Sequence, residues 1–119
     1  MKTLISAIVM IFSLATVAAA QNLGGRYEVA GKNFDGSRYS GEVEIIVTSK
    51  NTCRINWYIG RNVWRGICMR NGSAFSAAYK LGPNIGLVIY EIKDDGSMVG
   101  LWTLADKSGI GREVLVPIR

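Results

Sequence analysis

The sequence contains no histidine. Without an imidazole, Ser-His-Asp and Cys-His nucleophilic sites are excluded, and so are histidine-based metal centres and the commonest general base near neutral pH. A carboxylate pair such as Glu42 and Glu44 is available for acid–base chemistry, but a solvated outer strand face is the simpler explanation for two carboxylates in this pattern. We therefore expect a protein that is not an enzyme and that needs no cofactor.

Cysteine is also scarce, with only Cys53 and Cys68 present. Their separation matches neither a zinc site, which needs more ligands, nor the C-x-x-C motif of thiol oxidoreductases, so we expect no metal. If Gly60-Arg61 is a two-residue hairpin turn, Cys53 lies directly opposite Cys68 on the paired strand. Opposed positions on antiparallel strands are close enough for a disulfide. The sequence therefore predicts a Cys53–Cys68 bridge.

Helical periodicity is absent beyond residue 20. Short β-rich runs recur instead about every 8 to 12 residues, separated by Gly, Asn, Asp and Ser. Asp35-Gly36-Ser37 and Asp95-Gly96-Ser97 predict two hairpins that are built alike. A meander of about eight antiparallel strands removes its exposed edges by closing, so the predicted fold is all-β, a closed up-and-down barrel. The predicted strands lie near 25–31, 38–48, 52–59, 62–70, 73–79, 85–92, 98–104 and 111–118.

The first twenty residues have the pattern of a secretory signal peptide. Lys2 precedes an apolar run from Leu4 to Val17, and Ala18-Ala19-Ala20 forms a small-residue cleavage site. The run is shorter than the roughly 20 residues that span a membrane, so we expect cleavage before Gln21 and no membrane anchor. Residues 1–20 are then the signal peptide and 21–119 a single β-barrel domain. Such a protein is secreted or periplasmic, in an oxidising compartment that favours a disulfide.

Positive charge is concentrated in the middle of the chain. Between Ile45 and Tyr90 there is no Asp or Glu, although Lys and Arg recur. This asymmetry fits an acidic partner, such as a protein, a polyanionic envelope component or a membrane face, and no specific nucleic acid. A solvated barrel wall is the alternative interpretation. The candidate partner-binding basic surface comprises Arg54, Arg61, Arg65 and Arg70.

Alternation along the strands predicts which side chains face outward. With Glu91 and Thr103 outside, Tyr90 and Trp102 face the interior. This assignment leaves a candidate exposed apolar face on neighbouring strands, joined by Leu115, which favours a homodimer interface, another binding face or a surface covered by the chain's own ends. Its members are Leu87, Ile89, Val99 and Leu101.

Aromatic residues at alternating positions are predicted to face the barrel interior. An eight-stranded barrel is either filled by its own side chains or holds one compact ligand. The same residues therefore serve as core packing or as the walls of a ligand pocket, and the sequence leaves both open. The candidate pocket or core aromatics are Tyr39, Trp57, Trp64 and Trp102.

A set of short segments covers nearly the whole chain beyond residue 20: Gly25-Arg26-Tyr27-Glu28-Val29-Ala30-Gly31, Asn33-Phe34-Asp35-Gly36, Tyr39-Ser40-Gly41-Glu42-Val43, Trp57-Tyr58-Ile59-Gly60, Val88-Ile89-Tyr90, Asp95-Gly96-Ser97 and Gly100-Leu101-Trp102. These segments resemble a family of small exported bacterial proteins that is largely uncharacterised. The resemblance implies a β fold and a bacterial envelope location, and it carries no catalytic residues. More loosely, the meander resembles the avidin and lipocalin (calycin-type) barrels, a group that includes exported inhibitors, although shared architecture does not imply shared function.

Two functional hypotheses follow from these patterns. The preferred one is an exported, non-enzymatic binding protein that engages another macromolecule, in the manner of an inhibitor or an adhesive envelope factor. The alternative is a carrier that holds a small apolar ligand in the aromatic barrel interior. The two differ in whether the interior is hollow, and the sequence does not decide this.

Overall fold

A computed structural model of the protein describes residues 22–119. In this part of the chain eight antiparallel strands pair in chain order and β1 closes on β8, which confirms the predicted closed meander. No helix there is long and apolar enough to cross a membrane. The predicted signal peptide lies outside the described residues. The strands are β1 (Gly25–Lys32), β2 (Arg38–Val47), β3 (Thr52–Ile59), β4 (Asn62–Asn71), β5 (Ala74–Leu81), β6 (Asn84–Ile92), β7 (Met98–Leu104) and β8 (Gly111–Pro117).

The β3–β4 hairpin has the register that the sequence predicts. Ile59 pairs with Asn62, so Gly60 and Arg61 form the two-residue loop. Gly60 has a φ of 60°, a left-handed conformation that glycine adopts without steric cost. Cys53 consequently faces Cys68 with their Cα atoms 5.0 Å apart, and the two are joined in a disulfide.

The β1–β2 and β6–β7 turns are built alike, as predicted. In each, an aspartate Oδ1 accepts hydrogen bonds from the backbone N–H and the hydroxyl of the serine two residues later, at 2.9 and 2.6 Å. The serine hydroxyl is the main cause that holds the pKa of Asp35 and Asp95 below the usual range, and the backbone N–H adds to it. The same local chemistry thus closes two hairpins at opposite ends of the barrel.

Inward-facing glycines make room for aromatic rings on neighbouring strands. At four cross-strand pairs a glycine lies directly opposite an aromatic residue, and a Cβ added to the glycine would overlap that ring. Such pairs let a strand bend while the ring covers the glycine backbone. They also explain how a narrow barrel accommodates so many large side chains. The pairs are Gly31 with Tyr39, Gly86 with Tyr79, Gly100 with Tyr90, and Gly111 with Trp102.

One end of the barrel, which we call the closed end, carries the β2–β3, β4–β5 and β6–β7 turns and is packed with side chains. Ile55, Phe75 and Met98 are fully or almost fully buried there. Leu23, just before β1, is buried as well, and its carbonyl accepts a 2.7 Å hydrogen bond from the Tyr27 hydroxyl. The opposite end, which carries the other four connections, is the open end.

Strand β8 corrects one sequence-based assignment. Leu115 was expected to join the outer apolar face, but it pairs with Val29 and is fully buried, whereas Val114 and Val116 are exposed. The reason is that Leu115 shares a face with Glu113, which is itself buried. Because Arg112 lies on the opposite face, placing charged residues outside does not decide the orientation of β8.

Candidate functional site

The open end of the barrel contains a cavity of about 300 Å³. All four aromatic residues predicted to line a pocket or fill the core border it, and Tyr79 does so too. The interior is therefore filled in its closed half and hollow in its open half. The lining comprises Asn33, Tyr39, Trp57, Ile59, Asn62, Trp64, Tyr79, Val88, Trp102, Leu104 and Glu113.

The aromatic walls form two groups of rings in mutual contact. Tyr79 lies between two tryptophans, with ring centroids 4.9 Å from Trp57 and 5.6 Å from Trp64. On the other side, the Tyr39 ring meets that of Trp102 edge to face at 6.2 Å. These spacings are those of favourable aromatic pairs, so the rings hold one another in place around the cavity.

Phe34, in the β1–β2 turn, covers the outer side of Trp102. The two ring centroids are 4.9 Å apart. Gly109, in the β7–β8 connection, lies close enough to Phe34 that an added Cβ would overlap its ring. Two connections of the open end thereby pack together over Trp102 and form one side of the rim.

Glu113 is the only buried charged residue in the described part of the chain, and it was not foreseen from the sequence. Its Oε1 accepts a hydrogen bond from the Tyr39 hydroxyl at 2.6 Å, and its Oε2 accepts one from Trp57 Nε1 at 3.0 Å. The Tyr90 hydroxyl also donates to Oε2. Since Glu113 lines the cavity and Tyr90 belongs to the core, the carboxyl group lies where the hollow and filled halves meet.

The electrostatics of the cavity are set by this one carboxyl group. No Lys or Arg lines the cavity, and Glu113 has no salt bridge with any described residue. Burial raises the pKa of Tyr39, Tyr79 and Tyr90, and the negative charge of Glu113 raises each further. These hydroxyls therefore stay protonated near neutral pH and remain hydrogen-bond donors.

The indole N–H of Trp102 is buried without a hydrogen-bond partner among residues 22–119. Burial and Glu113 raise the pKa of Tyr39, and the nearby Trp102 indole lowers it without forming a hydrogen bond to that hydroxyl. An unpaired buried donor is costly and uncommon in native proteins. It belongs to a residue that lines the cavity, so the side chain adds an unpaired donor to the polar groups of the site.

The structure does not bring the four predicted surface arginines together. Arg54 and Arg65 are exposed on the outer faces of β3 and β4, and Arg61 lies in the β3–β4 loop at the open end. Arg70, in contrast, shares the inner face of β4 with Cys68 near the closed end, and its Nε donates to the Gly72 carbonyl at 2.9 Å. No single basic patch contains all four.

The candidate exposed apolar face lies on the outer wall of β6 and β7. Leu87, Ile89, Val99 and Leu101 are all exposed, and Ile89 pairs directly with Leu101. Val114 on β8 extends the face, since it pairs with Val99. This surface is on the outside of the barrel and does not contribute to the cavity.

The sequence around Glu113 contained one signal that could have located it. Gly111, Glu113 and Leu115 alternate with Arg112, Val114 and Val116, so each face of β8 would carry one charge and the pattern does not choose between them. The pairing of Gly111 with the inward Trp102 ring decides which face of β8 is inside. It places Gly111 in the interior, and Glu113 shares that face.

Neither a protein-family model nor a curated protein matches the sequence. Solved structures share its fold at low identity. A redesigned β-barrel superposes with a TM-score of 0.70 at 16% identity, covering 82% of this chain and 92% of that one. The redesigned barrel mFAP1 bound to DFHBI superposes with a TM-score of 0.67 at 19% identity, covering 85% of this chain and 99% of that one. A Schistosoma mansoni fatty acid binding protein in complex with arachidonic acid superposes with a TM-score of 0.53 at 11% identity, also covering 85% of this chain and 99% of that one.

These comparisons agree with the closed antiparallel β-barrel described above, the architecture that the looser of the two resemblances in the sequence implies. Two of the neighbours hold a small molecule. At such identities the likeness extends to the fold alone, so the function has to be argued from the cavity itself.

Proposed function

We propose that the protein binds a small, largely apolar molecule in the cavity at the open end of its barrel. The observation that carries the proposal is the cavity itself, about 300 Å³ in volume and lined by five aromatic residues, three aliphatic ones and one carboxyl group. Ligand sites in proteins are typically concave, mostly apolar and about 300–1,000 Å³, with a few polar groups that fix orientation. The cavity belongs at the small end of this range and suits a compact molecule.

The cavity favours the carrier hypothesis over binding of a macromolecular partner, which the charge pattern of the sequence favours. A basic docking surface would need its arginines on one face, and Arg70 lies on the inner face of the barrel. The cavity, in contrast, gathers all four predicted aromatics into one concave site. The small molecules held by two structural neighbours support the same choice at the level of architecture.

The site chemistry argues against a long-chain fatty acid as the ligand. The Schistosoma neighbour is in complex with arachidonic acid, whose carboxylate needs a cation or several donors. Here the cavity offers the Glu113 carboxyl and no Lys or Arg. Two carboxylates in one site repel each other. A compact ring compound without negative charge fits both the volume and the charge.

We also propose that the protein acts without catalysis and outside the reducing cytoplasm. The Cys53–Cys68 disulfide is compatible with an oxidising compartment, where such bridges persist. The absence of histidine from the sequence removes the usual acid–base group for catalysis at the cavity.

Ligand-detected NMR with a library of small aromatic and alicyclic compounds tests the proposal. We expect binders to the wild-type protein that are lost in Leu104→Trp, which fills the cavity from its lining. The matched control is Leu87→Trp, the same substitution on the outer wall, where Leu87 is 51% exposed. A library without binders, or binders that are retained equally by Leu104→Trp, would refute binding in the cavity.

A further inference from the structure

We infer that the molecule bound in this cavity carries a positively charged nitrogen, which Glu113 and the surrounding aromatic rings hold. This inference rests on the proposed function and specifies its ligand class as an organic ammonium compound. Three features of the cavity point to it, namely the unpaired charge of Glu113, a free acceptor position and the aromatic walls.

The first feature is the charge of Glu113. Only 5% of the residue is exposed, and no Lys or Arg pairs with it in residues 22–119. Three neutral donors, on Tyr39, Trp57 and Tyr90, stabilise the ionised carboxylate in part. Burying a carboxylate without an opposite charge costs free energy, so a cation that binds in the cavity should stabilise the carboxylate and offset part of this cost.

The second feature is an acceptor position that the protein leaves unused. An ionised carboxylate offers about four lone-pair positions on its two oxygens. Oε2 accepts from both Trp57 and Tyr90, whereas Oε1 accepts only from Tyr39. One further donor therefore has a place on Oε1, and an ammonium N–H is the donor that also brings the missing charge.

The third feature is the composition of the walls. Three tryptophans and two tyrosines line the cavity. A cation within about 6 Å of an aromatic centroid is attracted by the ring quadrupole, most strongly by tryptophan, and the attraction grows when the cation is desolvated. Aromatic cages recognise quaternary ammonium ligands in other proteins, and here a carboxylate adds an opposite charge to the aromatic walls.

The net charge of the whole molecule does not favour a cationic ligand. The formal net charge of the whole chain is +5, which on its own favours anions over cations. A preference for a cation must therefore arise in the cavity. If Glu113 served only to tie strands together, a charged amine would have no advantage over a neutral molecule of the same shape.

Three probes that share a phenylethyl group separate these cases: 2-phenylethylammonium, the uncharged 2-phenylethanol and the anion 3-phenylpropanoate. We expect calorimetry or NMR titration of the wild-type protein to give an affinity about tenfold or more higher for the amine than for the alcohol, and weakest for the anion. Glu113→Gln should bring the amine and the alcohol to within about threefold. The Leu104→Trp variant should bind neither.

If Glu113→Gln does not fold, the ratio of the amine affinity to the alcohol affinity in the wild-type protein decides the inference. Equal or tighter binding of the alcohol would overturn the cationic ligand while leaving a neutral ligand in the cavity. No binding of the amine, in a protein that does bind neutral compounds from the library, would overturn it equally. Failure of the proposed function looks different, because then neither the three probes nor the library would bind in a manner sensitive to Leu104→Trp.

Discussion

The indole N–H of Trp57 on β3 donates to Oε2 of Glu113 on β8 across a distance of 3.0 Å. Two strands, β1 and β2, separate β3 from β8 around the barrel, so this hydrogen bond crosses the interior. Tyr39 on β2 and Tyr90 on β6 donate to the same carboxyl group. Glu113 thus links side chains of four strands, and its substitution should affect both stability and binding.

Glu113→Gln should lower the free energy of unfolding by about 2 kcal/mol, since the amide NH₂ replaces an acceptor and leaves at least one buried donor unpaired. Removal of a buried charge offsets part of this cost. Urea denaturation followed by circular dichroism measures the difference. Glu28→Gln, at an exposed position on the outer face of β1, should change stability by no more than about 0.5 kcal/mol. Equal stability of the Glu113→Gln variant and the wild type would show that the hydrogen bonds to the carboxyl group do not stabilise the fold.

The glycine opposite Trp102 should be intolerant of any side chain. A Cβ at residue 111 would overlap the Trp102 ring, so Gly111→Ala should destabilise the protein by roughly 1–3 kcal/mol through overpacking. The cost should largely disappear in a Trp102→Leu background, which removes the ring. A double-mutant cycle by urea denaturation measures this coupling. Additive effects of the two substitutions would show that the ring is not what excludes the side chain.

The disulfide should contribute a large share of the stability of this small barrel. Cys53 and Cys68 are separated by 15 positions, and closing a loop of that length is worth about 3 kcal/mol in the loop-entropy model. The double variant Cys53→Ala, Cys68→Ala should lose about this much in urea denaturation, and a reductant should have no further effect on it. Because the bridge lies outside the cavity lining, probe affinity in the folded variant should change by less than about twofold. A large loss of binding would show that the bridge shapes the cavity.

Asp35 and Asp95, in the two similar turns, should titrate independently of each other in acid. The pKa of Asp35 is lowered first by the Ser37 hydroxyl and then by the Ser37 backbone N–H. A lowered pKa in the folded state means that these bonds contribute stability above the unfolded-state pKa of about 3.9. That contribution is lost as the pH falls through the folded-state pKa.

Carboxyl-detected NMR titration checks this assignment with serine variants. Ser37→Ala should raise the pKa of Asp35 and leave that of Asp95 unchanged, while Ser97→Ala should do the reverse. Each variant is therefore the control for the other. An unchanged Asp35 pKa in Ser37→Ala would assign the shift to the backbone bond instead.

The fold was predictable because local rules agree with one another along most of the chain. The hairpin turn at Gly60-Arg61 fixes the β3–β4 register, and that register alone brings Cys53 opposite Cys68. Alternation likewise places Trp57 and Trp102 inside. Each of these predictions depends on neighbouring strands, whose geometry the pleat and the turn determine.

The candidate site was only partly predictable, because it depends on contacts across the barrel. Alternation placed the aromatic rings inside, but it did not show whether they fill the interior, which depends on how strands far apart in sequence approach. Glu113 was missed because its partners Tyr39, Trp57 and Tyr90 are on three other strands, at separations of 74, 56 and 23 residues. A buried charge violates the pattern rule that otherwise works, and such violations occur at functional or strained sites.

The most direct test of the cavity as a binding site is native mass spectrometry of the protein recovered from its own host. We expect an additional mass of a small organic molecule, released on denaturation, that is present in the wild type and in Leu87→Trp but absent from Leu104→Trp. A wild-type protein that is recovered consistently without any bound molecule, or that carries the same mass after Leu104→Trp, would contradict it.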